Sequence, residues 1–237
     1  MTEIDRWAMQ QLQKLLVEVT VAYEDFVFHR VFSLIYNFCS VEMSSIYMDV
    51  LKDRMYCDAQ DSPSRRSTQT VMYKILDGLI LILSPVLVHT SEEAWQVMKY
   101  RSQDCESVHL ARMPKVDDSI EFRSTESRWQ KLMGLRDEVL RVLEELRRDK
   151  KIASNQQACV TICCTDEDAD LLSEFGLEQF AALCIVSQVK LQKSADKTTV
   201  VAQKSEYQKC QRCWNYWPSV GSDSNHPDLC TRCARLV

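Results

Sequence analysis

Glycine is scarce in this sequence. Only 4 of the 237 residues are glycine, whereas an average soluble chain of this length has about four times as many. Glycine supplies the turns with positive φ and the close backbone approach that phosphate-binding loops require. The glycines are far apart in the chain, at Gly78, Gly134, Gly176 and Gly221. No two of them can share one glycine-rich phosphate loop, so a nucleotide site of that kind is excluded.

Two further features are missing. The sequence has no run of roughly 18 or more apolar residues, so we expect no transmembrane helix. Residues 1–5 lack the basic flank and the apolar core of a secretory signal, and we therefore expect a cytoplasmic protein. The formal net charge of −5 argues against binding of nucleic acid by overall charge, but it is compatible with a local basic patch.

Cysteine, by contrast, is abundant, with 11 residues in the chain. An odd number in a chain of this length suits neither a disulfide scaffold nor a small secreted domain. Several of the cysteines lie in apolar or mixed surroundings, where a free thiol behaves as a small core residue. These are Cys39, Cys57, Cys159, Cys163 and Cys184. This usage indicates a reducing compartment.

Apolar residues recur at intervals of three and four through residues 1–152, a pattern typical of amphipathic helices. The predicted helices cover residues 4–26, 28–51, 71–83 and 129–146. Pro63 marks a helix start, and Thr90 with Glu93 has the spacing of a capping box that would open a further helix. Because antiparallel packing of about five helices buries all of these faces, we expect a mainly α chain that begins with an antiparallel helical bundle over residues 1–152.

Residues 153–203 differ from the helical part and predict a small α/β subdomain. Strands are predicted over residues 158–164, 184–189 and 198–201. The acidic residues 166–175 predict a short helix that ends at Gly176, a C-cap position. Residues 204–237 then form a third domain, which contains the most informative motif of the chain.

That motif consists of two cysteine pairs. Cys210 and Cys213 are separated by two residues, as are Cys230 and Cys233, with sixteen residues between the pairs. This spacing is typical of a zinc site, in which two tight turns direct four thiolates at one ion. Four thiolates leave no open position for water, so we expect one structural Zn²⁺. Since a module of about 30 residues cannot bury enough core to fold alone, zinc binding supplies its folding energy.

Two other interpretations of the cysteine pairs stay open at this point. The four thiols could be unrelated to one another, or they could form two local disulfides. His226 lies just before the second pair and could replace Cys230 or Cys233 as a ligand, although this would break a pair that is already complete.

Basic and aromatic side chains surround the cysteines, a combination that suits unpaired RNA bases and phosphates. The candidate RNA contacts in this module are Lys209, Arg212, Trp214 and Arg232. Arg212 and Arg232 occupy middle positions of the cysteine turns, where we expect side chains to point outward. For Trp214 and Trp217 the alternative is that they cover the zinc core. We find no pair of nucleophile and base, and we assign no catalytic residue.

The most specific stretch of the helical part is Met-Ser-Ser-Ile-Tyr-Met-Asp-Val-Leu-Lys-Asp-Arg-Met-Tyr-Cys at residues 43–57. Other distinctive stretches lie at residues 5–7, 18–24, 28–30, 85–87, 90–95, 106–110, 185–189, 209–214 and 226–233. In these stretches the sequence resembles the C-terminal part of bacterial-type isoleucyl-tRNA synthetases almost from end to end, which makes Lys52 and Arg54 further candidate tRNA contacts. The resemblance implies that the helical domain docks on the anticodon stem-loop of the isoleucine tRNA, with the zinc module helping to read or clasp it.

The same family implies an ATP-dependent class I ligase, whose core carries His-Ile-Gly-His and Lys-Met-Ser-Lys-Ser signatures and an inserted editing domain. None of these occurs in the sequence, so we expect no aminoacylation by this chain alone, and a catalytic ligase half on another chain is a further expected partner.

Two alternatives from other classes remain. One is a non-catalytic zinc-ribbon protein that binds other RNA or protein partners. The other is a base-excision DNA glycosylase, a family with a similar finger, but those enzymes need a reactive N-terminal Pro-Glu and this chain has Thr2 and Glu3 after Met1.

Overall fold

Helices make up most of the computed structural model, which describes residues 1–117, 120, 123–194 and 196–237, with only the backbone of residues 123 and 124. The chain forms two compact units, Met1–Asp49 with Pro63–Ser124 and Val50–Ser62 with Thr125–Val237. Within the described residues, no helix is both long enough and apolar enough to span a bilayer. The mainly α fold with a small sheet and a four-cysteine module is confirmed.

The helices of the first part of the chain follow the apolar periodicity closely. They are α1 (Glu3–Glu24), α2 (Phe28–Asn37), a π-helical segment (Phe38–Tyr47), α3 (Met48–Cys57), α4 (Pro63–Leu83) and α5 (Val88–Val97). Pro63 begins α4, as predicted. The predicted helix over residues 28–51 is helical throughout, but its middle turns are π-helical, which apolar spacing alone does not reveal.

Helix α1 is the centre of the first unit, where it packs against α2, the π-helical segment and α4. Its buried face carries Ala8, Leu12 and Leu16 at intervals of four residues, the expected helical spacing. On α4, Gly78 lies opposite Leu12, and a Cβ atom at Gly78 would come within 3.3 Å of the Leu12 Cδ1 atom. The absence of a side chain at Gly78 therefore lets the two helices approach each other.

A buried carboxylate fixes the end of the π-helical segment. Asp5 of α1 is fully buried. Its Oδ1 atom accepts a hydrogen bond of 2.9 Å from the Tyr47 hydroxyl, and its Oδ2 atom accepts one of 2.8 Å from the Ser67 hydroxyl. Burying a carboxylate is costly unless it is hydrogen-bonded, so these donors hold α1, the π-helical segment and α4 together.

We expect Tyr47→Phe to lower the free energy of unfolding by about 1.5–3 kcal/mol, because it removes a hydrogen bond to a buried charged group. Denaturant unfolding monitored by circular dichroism measures this loss. Tyr56→Phe is the matched control, since Tyr56 is 77% exposed and its replacement should leave stability unchanged. Equal effects of the two replacements would contradict the role given to the Tyr47 hydroxyl.

The predicted capping box at Thr90 is wrong. Helix α5 begins at Val88 with Leu87 as its N-cap residue, so Thr90 already lies within the first turn. The helix starts before Thr90 because a turn directly after Leu83 places Leu87 at the N-cap position. In this turn the Leu87 amide donates to the Leu83 carbonyl at 2.7 Å. Glu92 has a different role: its Oε2 atom accepts hydrogen bonds from the Ser107 hydroxyl and the Val108 amide, at 2.8 and 2.9 Å.

The second unit contains the sheet. After residues 50–62, its elements are α6 (Arg123–Arg148), β1 (Ala158–Cys164), α7 (Asp166–Phe175), α8 (Leu177–Cys184), β2 (Gln188–Lys193), β3 (Thr199–Lys204) and α9 (Thr231–Ala234). The strand order is β2-β1-β3, with β1 parallel to β2 and antiparallel to β3. Residues 50–62 and most of α6 belong to this unit, and the division into domains at residues 152 and 203 stays a prediction.

The strand predicted over residues 184–189 is wrong in its position. Residues 177–184 form α8, which ends where Ile185 adopts a left-handed φ of 57°, and β2 begins only at Gln188. Topology explains the difference, because parallel strands require a crossover connection, and α7 and α8 together supply it between β1 and β2. Phe180, Leu183 and Cys184 are buried at helical spacing on α8, which is the signal that would have identified it.

Candidate metal centre

The four cysteines of the motif converge in the second unit. Their Sγ atoms all lie within 4.8 Å of one another, and the Sγ atoms of Cys213 and Cys230 are 3.9 Å apart. A tetrahedral zinc ion with Zn–S bonds of about 2.3 Å places its sulfur ligands about 3.8 Å apart. All four cysteines are buried. The donor set, the spacing and the burial therefore fit a four-thiolate zinc ion.

A tight turn forms the first cysteine pair. The Trp214 amide donates to the Cys210 carbonyl at 2.9 Å, and the Cys210 amide donates to the Asn215 carbonyl at 2.9 Å. Trp214 has a φ of 64°, a left-handed conformation that non-glycine residues adopt at a cost. Closing the turn in this way directs both sulfur atoms to the same side.

The second pair lies at a helix start. Cys230 is the N-cap residue of the short helix α9, and Cys233 lies within that helix. The Cys230 amide donates to the Cys210 sulfur at 3.3 Å, which links the two pairs. Burial raises the pKa of the Cys210 thiol, but amide donors from Cys213, Cys230 and Arg212 outweigh it and lower the pKa to about 7.

Burial raises the pKa of Cys213 and Cys230. Zinc binds the thiolate form, so loading the site releases protons and zinc affinity falls as the pH falls.

The geometry argues against unrelated thiols, local disulfides and a ligand role for His226. All four cysteines are free thiols, so local disulfides are not formed. Among the described residues, the group that could hold a metal contains the four cysteines without His226. Instead, the His226 amide donates to the Asp223 carboxylate at 3.3 Å and its carbonyl accepts from Leu229.

A fifth cysteine lies beside the metal centre. Cys57, at the end of α3, is 5% exposed and packs in the same buried cluster as the four cysteines of the motif. Its sulfur lies 3.6 Å from the Arg212 carbonyl. Burial, and then the charge of Asp53, raises the pKa of Cys57 to about 11, so it remains a thiol at neutral pH. The sequence predicts only an ordinary core residue at Cys57, since nothing in the local sequence links it to a motif 155 residues away.

The two arginines of the cysteine turns both contact residues of the same unit, although Arg212 is half-buried and Arg232 is exposed. Nη1 of Arg212 donates to the Cys57 carbonyl at 2.6 Å and lies 3.7 Å from the Cys233 sulfur. Arg232 forms a bidentate pair with Asp53 at 2.6 and 2.7 Å. The expectation that both side chains point outward is wrong for Arg212, because the buried sulfur and the helix-end carbonyl both attract its guanidinium.

The two tryptophans have different positions. Trp217 is half-buried and packs against the cysteine cluster, whereas Trp214 is 60% exposed. The ammonium group of Lys209 lies 5.0 Å from the Trp214 ring centroid, within the range of a cation–π contact. Trp217 therefore covers the metal centre, and Trp214 with Lys209 forms an exposed aromatic and basic pair. On α3, Lys52 is exposed and Arg54 is half-buried.

Comparison with known proteins agrees with this architecture. Residues 5–162 match the anticodon-binding domain of tRNA ligase, and residues 208–235 match the zinc finger found in FPG and IleRS. The chain is 42% identical to the isoleucine–tRNA ligase of Carboxydothermus hydrogenoformans over 99% of its own length and 26% of that protein. It is 40% identical to the isoleucine–tRNA ligase of Brachyspira hyodysenteriae over the same shares.

The chain thus spans about a quarter of the length of these relatives. The match to the zinc finger and the geometry of the four sulfur atoms make zinc the metal of this site. The resemblance to isoleucyl-tRNA synthetases that the sequence indicated is confirmed: the chain belongs to the family of tRNA ligase anticodon-binding domains and carries the zinc finger found in FPG and IleRS.

Proposed function

We propose that this chain binds the anticodon stem-loop of the isoleucine-accepting tRNA and so supports aminoacylation of that tRNA in translation. One observation carries the proposal: similarity to isoleucine–tRNA ligases extends over 99% of the chain, from the anticodon-binding helices to the zinc finger. We further propose that a catalytic ligase half, on the same polypeptide or on another chain, carries out the ATP-dependent reaction, and that the protein acts in the cytoplasm.

In this proposal the module holds one structural Zn²⁺ on Cys210, Cys213, Cys230 and Cys233. Four thiolates complete a tetrahedron and leave no coordination position for a substrate or a water molecule. The ion therefore has no part in a reaction, and its contribution is to fold the turns that present Lys209 and Trp214.

The exposed pair of Lys209 and Trp214 is the strongest candidate for contact with RNA. An exposed indole can stack on an unpaired base, and the neighbouring ammonium group can meet phosphate. Arg212 and Arg232 are weaker candidates for contact with RNA, because their guanidinium groups already form hydrogen bonds within the protein. Lys52 and Arg54 extend the proposed surface along α3.

Binding of fluorescently labelled anticodon stem-loops, measured by anisotropy at several salt concentrations, tests the proposal. We expect preference for the loop with the isoleucine anticodon and weaker binding as the salt concentration rises, because phosphate contacts release counterions. Trp214→Ala should weaken binding at least about fivefold, corresponding to the loss of one base stack, while Trp214→Phe should retain most of it. Lys209→Ala should lower the salt slope by about one.

Lys190→Ala is the matched control for Lys209→Ala, because Lys190 is an exposed lysine of β2 in the same unit. It should leave affinity and salt slope unchanged. Equal binding of stem-loops with unrelated anticodons by the zinc-loaded chain would reject the proposed function. If Trp214→Ala binds as well as the unmodified chain, the function survives but the assignment of Trp214 fails.

A further inference from the structure

The zinc module (residues 208–235) makes a set of contacts with helix α3 that zinc coordination by itself does not require. The bidentate pair of Arg232 and Asp53 joins residues 179 positions apart in the chain. The same guanidinium lies 3.7 Å from the carboxylate of Asp58, just after α3. The Asp53 carboxylate also accepts a hydrogen bond of 3.5 Å from the Asn215 amide group.

Arg212 makes the second half of this contact. Its guanidinium donates to the Cys57 carbonyl at 2.6 Å, and the Cys57 thiol donates back to the Arg212 carbonyl at 3.6 Å. The Cys57 carbonyl belongs to the last turn of α3, where carbonyl groups have no partner within the helix. A cation at this end of a helix is also favoured by the helix dipole.

Both arginines stand directly before a zinc ligand. Arg212 precedes Cys213 and Arg232 precedes Cys233, so the metal that fixes the two cysteines also fixes the backbone from which each guanidinium extends. Without metal, the module has too little buried core to keep these turns folded. Both guanidinium groups would then lose their fixed positions opposite Asp53 and Cys57.

We propose that the zinc module is a metal-dependent clamp on the second half of α3. Zinc binding orders Arg212 and Arg232, and these two side chains hold Asp53, Cys57 and Asp58, so that α3 is fully ordered only in the zinc-loaded protein. We call this set of contacts the α3 clamp. The proposal rests on zinc binding by the four cysteines and does not depend on tRNA binding.

The alternative is that α3 is held by its own packing. Val50 and Leu51, in its first half, are buried, and they can anchor that half whatever the metal does. In the second half, Tyr56 is exposed and Asp53, Arg54 and Met55 are half-buried. The buried residue of this half, Cys57, packs in the cysteine cluster of the zinc module, so its anchoring depends on the module. The clamp therefore predicts that removal of zinc disorders the second half of α3 and leaves the first half ordered.

Because coupling between two sites is reciprocal, breaking the clamp must also weaken zinc binding. We expect Arg232→Ala to lower zinc affinity about five- to tenfold. Arg232→Lys should restore only part of it, because a lysine cannot form the bidentate pair with Asp53. Arg235→Ala is the matched control, because it removes a nearby exposed arginine and should leave the affinity unchanged.

Hydrogen–deuterium exchange on the complete chain, with zinc and after its removal by a chelator, measures the ordering directly. We expect faster exchange in the zinc module and at residues 53–58, with unchanged exchange in β1 and in the first half of α3. Faster exchange confined to the zinc module would overturn the proposal. A chain that binds no zinc at the outset would instead refute the metal assignment.

If zinc removal accelerates exchange throughout the chain, hydrogen–deuterium exchange of the zinc-loaded Arg232→Ala variant tests the clamp instead. In that variant, with one zinc ion per chain verified, residues 53–58 should exchange faster than in Arg235→Ala. Equal exchange in the two variants would reject the clamp.

A double-mutant cycle of Asp53→Asn and Arg232→Ala gives an independent test. If the two side chains act as a pair, their separate effects on zinc affinity should not add in the double variant.

Discussion

Cys213→Ser is expected to abolish tight zinc binding and to unfold residues 208–235. Cys213 is buried with Cys210, Cys230 and Cys233, and the four sulfur atoms lie within 4.8 Å of one another. Structural zinc contributes roughly 10–16 kcal/mol to the folding of small finger peptides, far more than a 28-residue module can gain from its own core. Loss of the metal and loss of the fold should therefore occur together.

Zinc content per chain, measured by atomic emission after dialysis against a chelator, gives the first readout. The unmodified chain should retain close to one ion and Cys213→Ser close to none. Exchange of the amide protons of residues 208–235 gives the second readout, since these amides should lose their protection in the variant.

Cys163→Ser provides the matched control. Cys163 is a half-buried cysteine of β1 in the same unit and does not belong to the four-sulfur group. It should keep both the zinc ion and the protection of the module. A Cys213→Ser chain that retains one zinc ion against the chelator would show that the four-cysteine assignment is wrong.

The zinc site is the part of this protein that the sequence predicts best, because its information is local. Each cysteine pair comes from one short segment, and the spacing of the two pairs is typical of a zinc site. The sequence does not predict the surroundings of the site. Asp53 and Cys57 approach the module across more than 150 residues, and no local pattern encodes such a contact.

The orientation of side chains in the module depends on the same distant partners. Seen alone, the middle position of a cysteine turn suggests an outward side chain, but Arg212 finds the Cys57 carbonyl and turns inward. The roles of Trp214 and Trp217 are also decided by packing, since both are aromatic residues at similar distances from the cysteines in the sequence. In the structure, one of them covers the cluster and the other is exposed.

Helices were predicted well where one face is apolar over many residues, as in α1 and α6. Prediction failed where a short element depends on topology. The segment before β2 has strand-like composition, yet it forms α8, because β1 and β2 are parallel and the chain must cross over between them. The start of α5 was misplaced for a related reason: the turn after Leu83, and not the polar residues of the helix, determines where the helix begins.

The second large effect is expected in the first unit, for Trp95→Ala. Trp95 is fully buried in a cluster with Ile80, Leu81, Met98 and Val108. Its indole NH donates to the Cys105 carbonyl at 3.1 Å. Removing the ring leaves a cavity and removes one of two donors to the Cys105 carbonyl, which also accepts a hydrogen bond of 3.2 Å from Arg101. The free energy of unfolding should therefore fall by about 3–5 kcal/mol, mainly because of the cavity. Denaturant unfolding monitored by circular dichroism measures the change.

Two comparisons separate the causes of this loss. Trp95→Phe keeps most of the apolar volume but removes the hydrogen bond to Cys105, whose carbonyl retains the bond from Arg101, so this loss should cost about 0.5–1.5 kcal/mol. Trp214→Ala makes the same replacement at a tryptophan that is 60% exposed, and it should cost less than about 1 kcal/mol because little apolar area leaves the interior. If Trp95→Ala were no more destabilising than Trp214→Ala, Trp95 could not be the centre of a packed core, and the stability of α5 would have to come from Glu92 and its bonds to Ser107 and Val108.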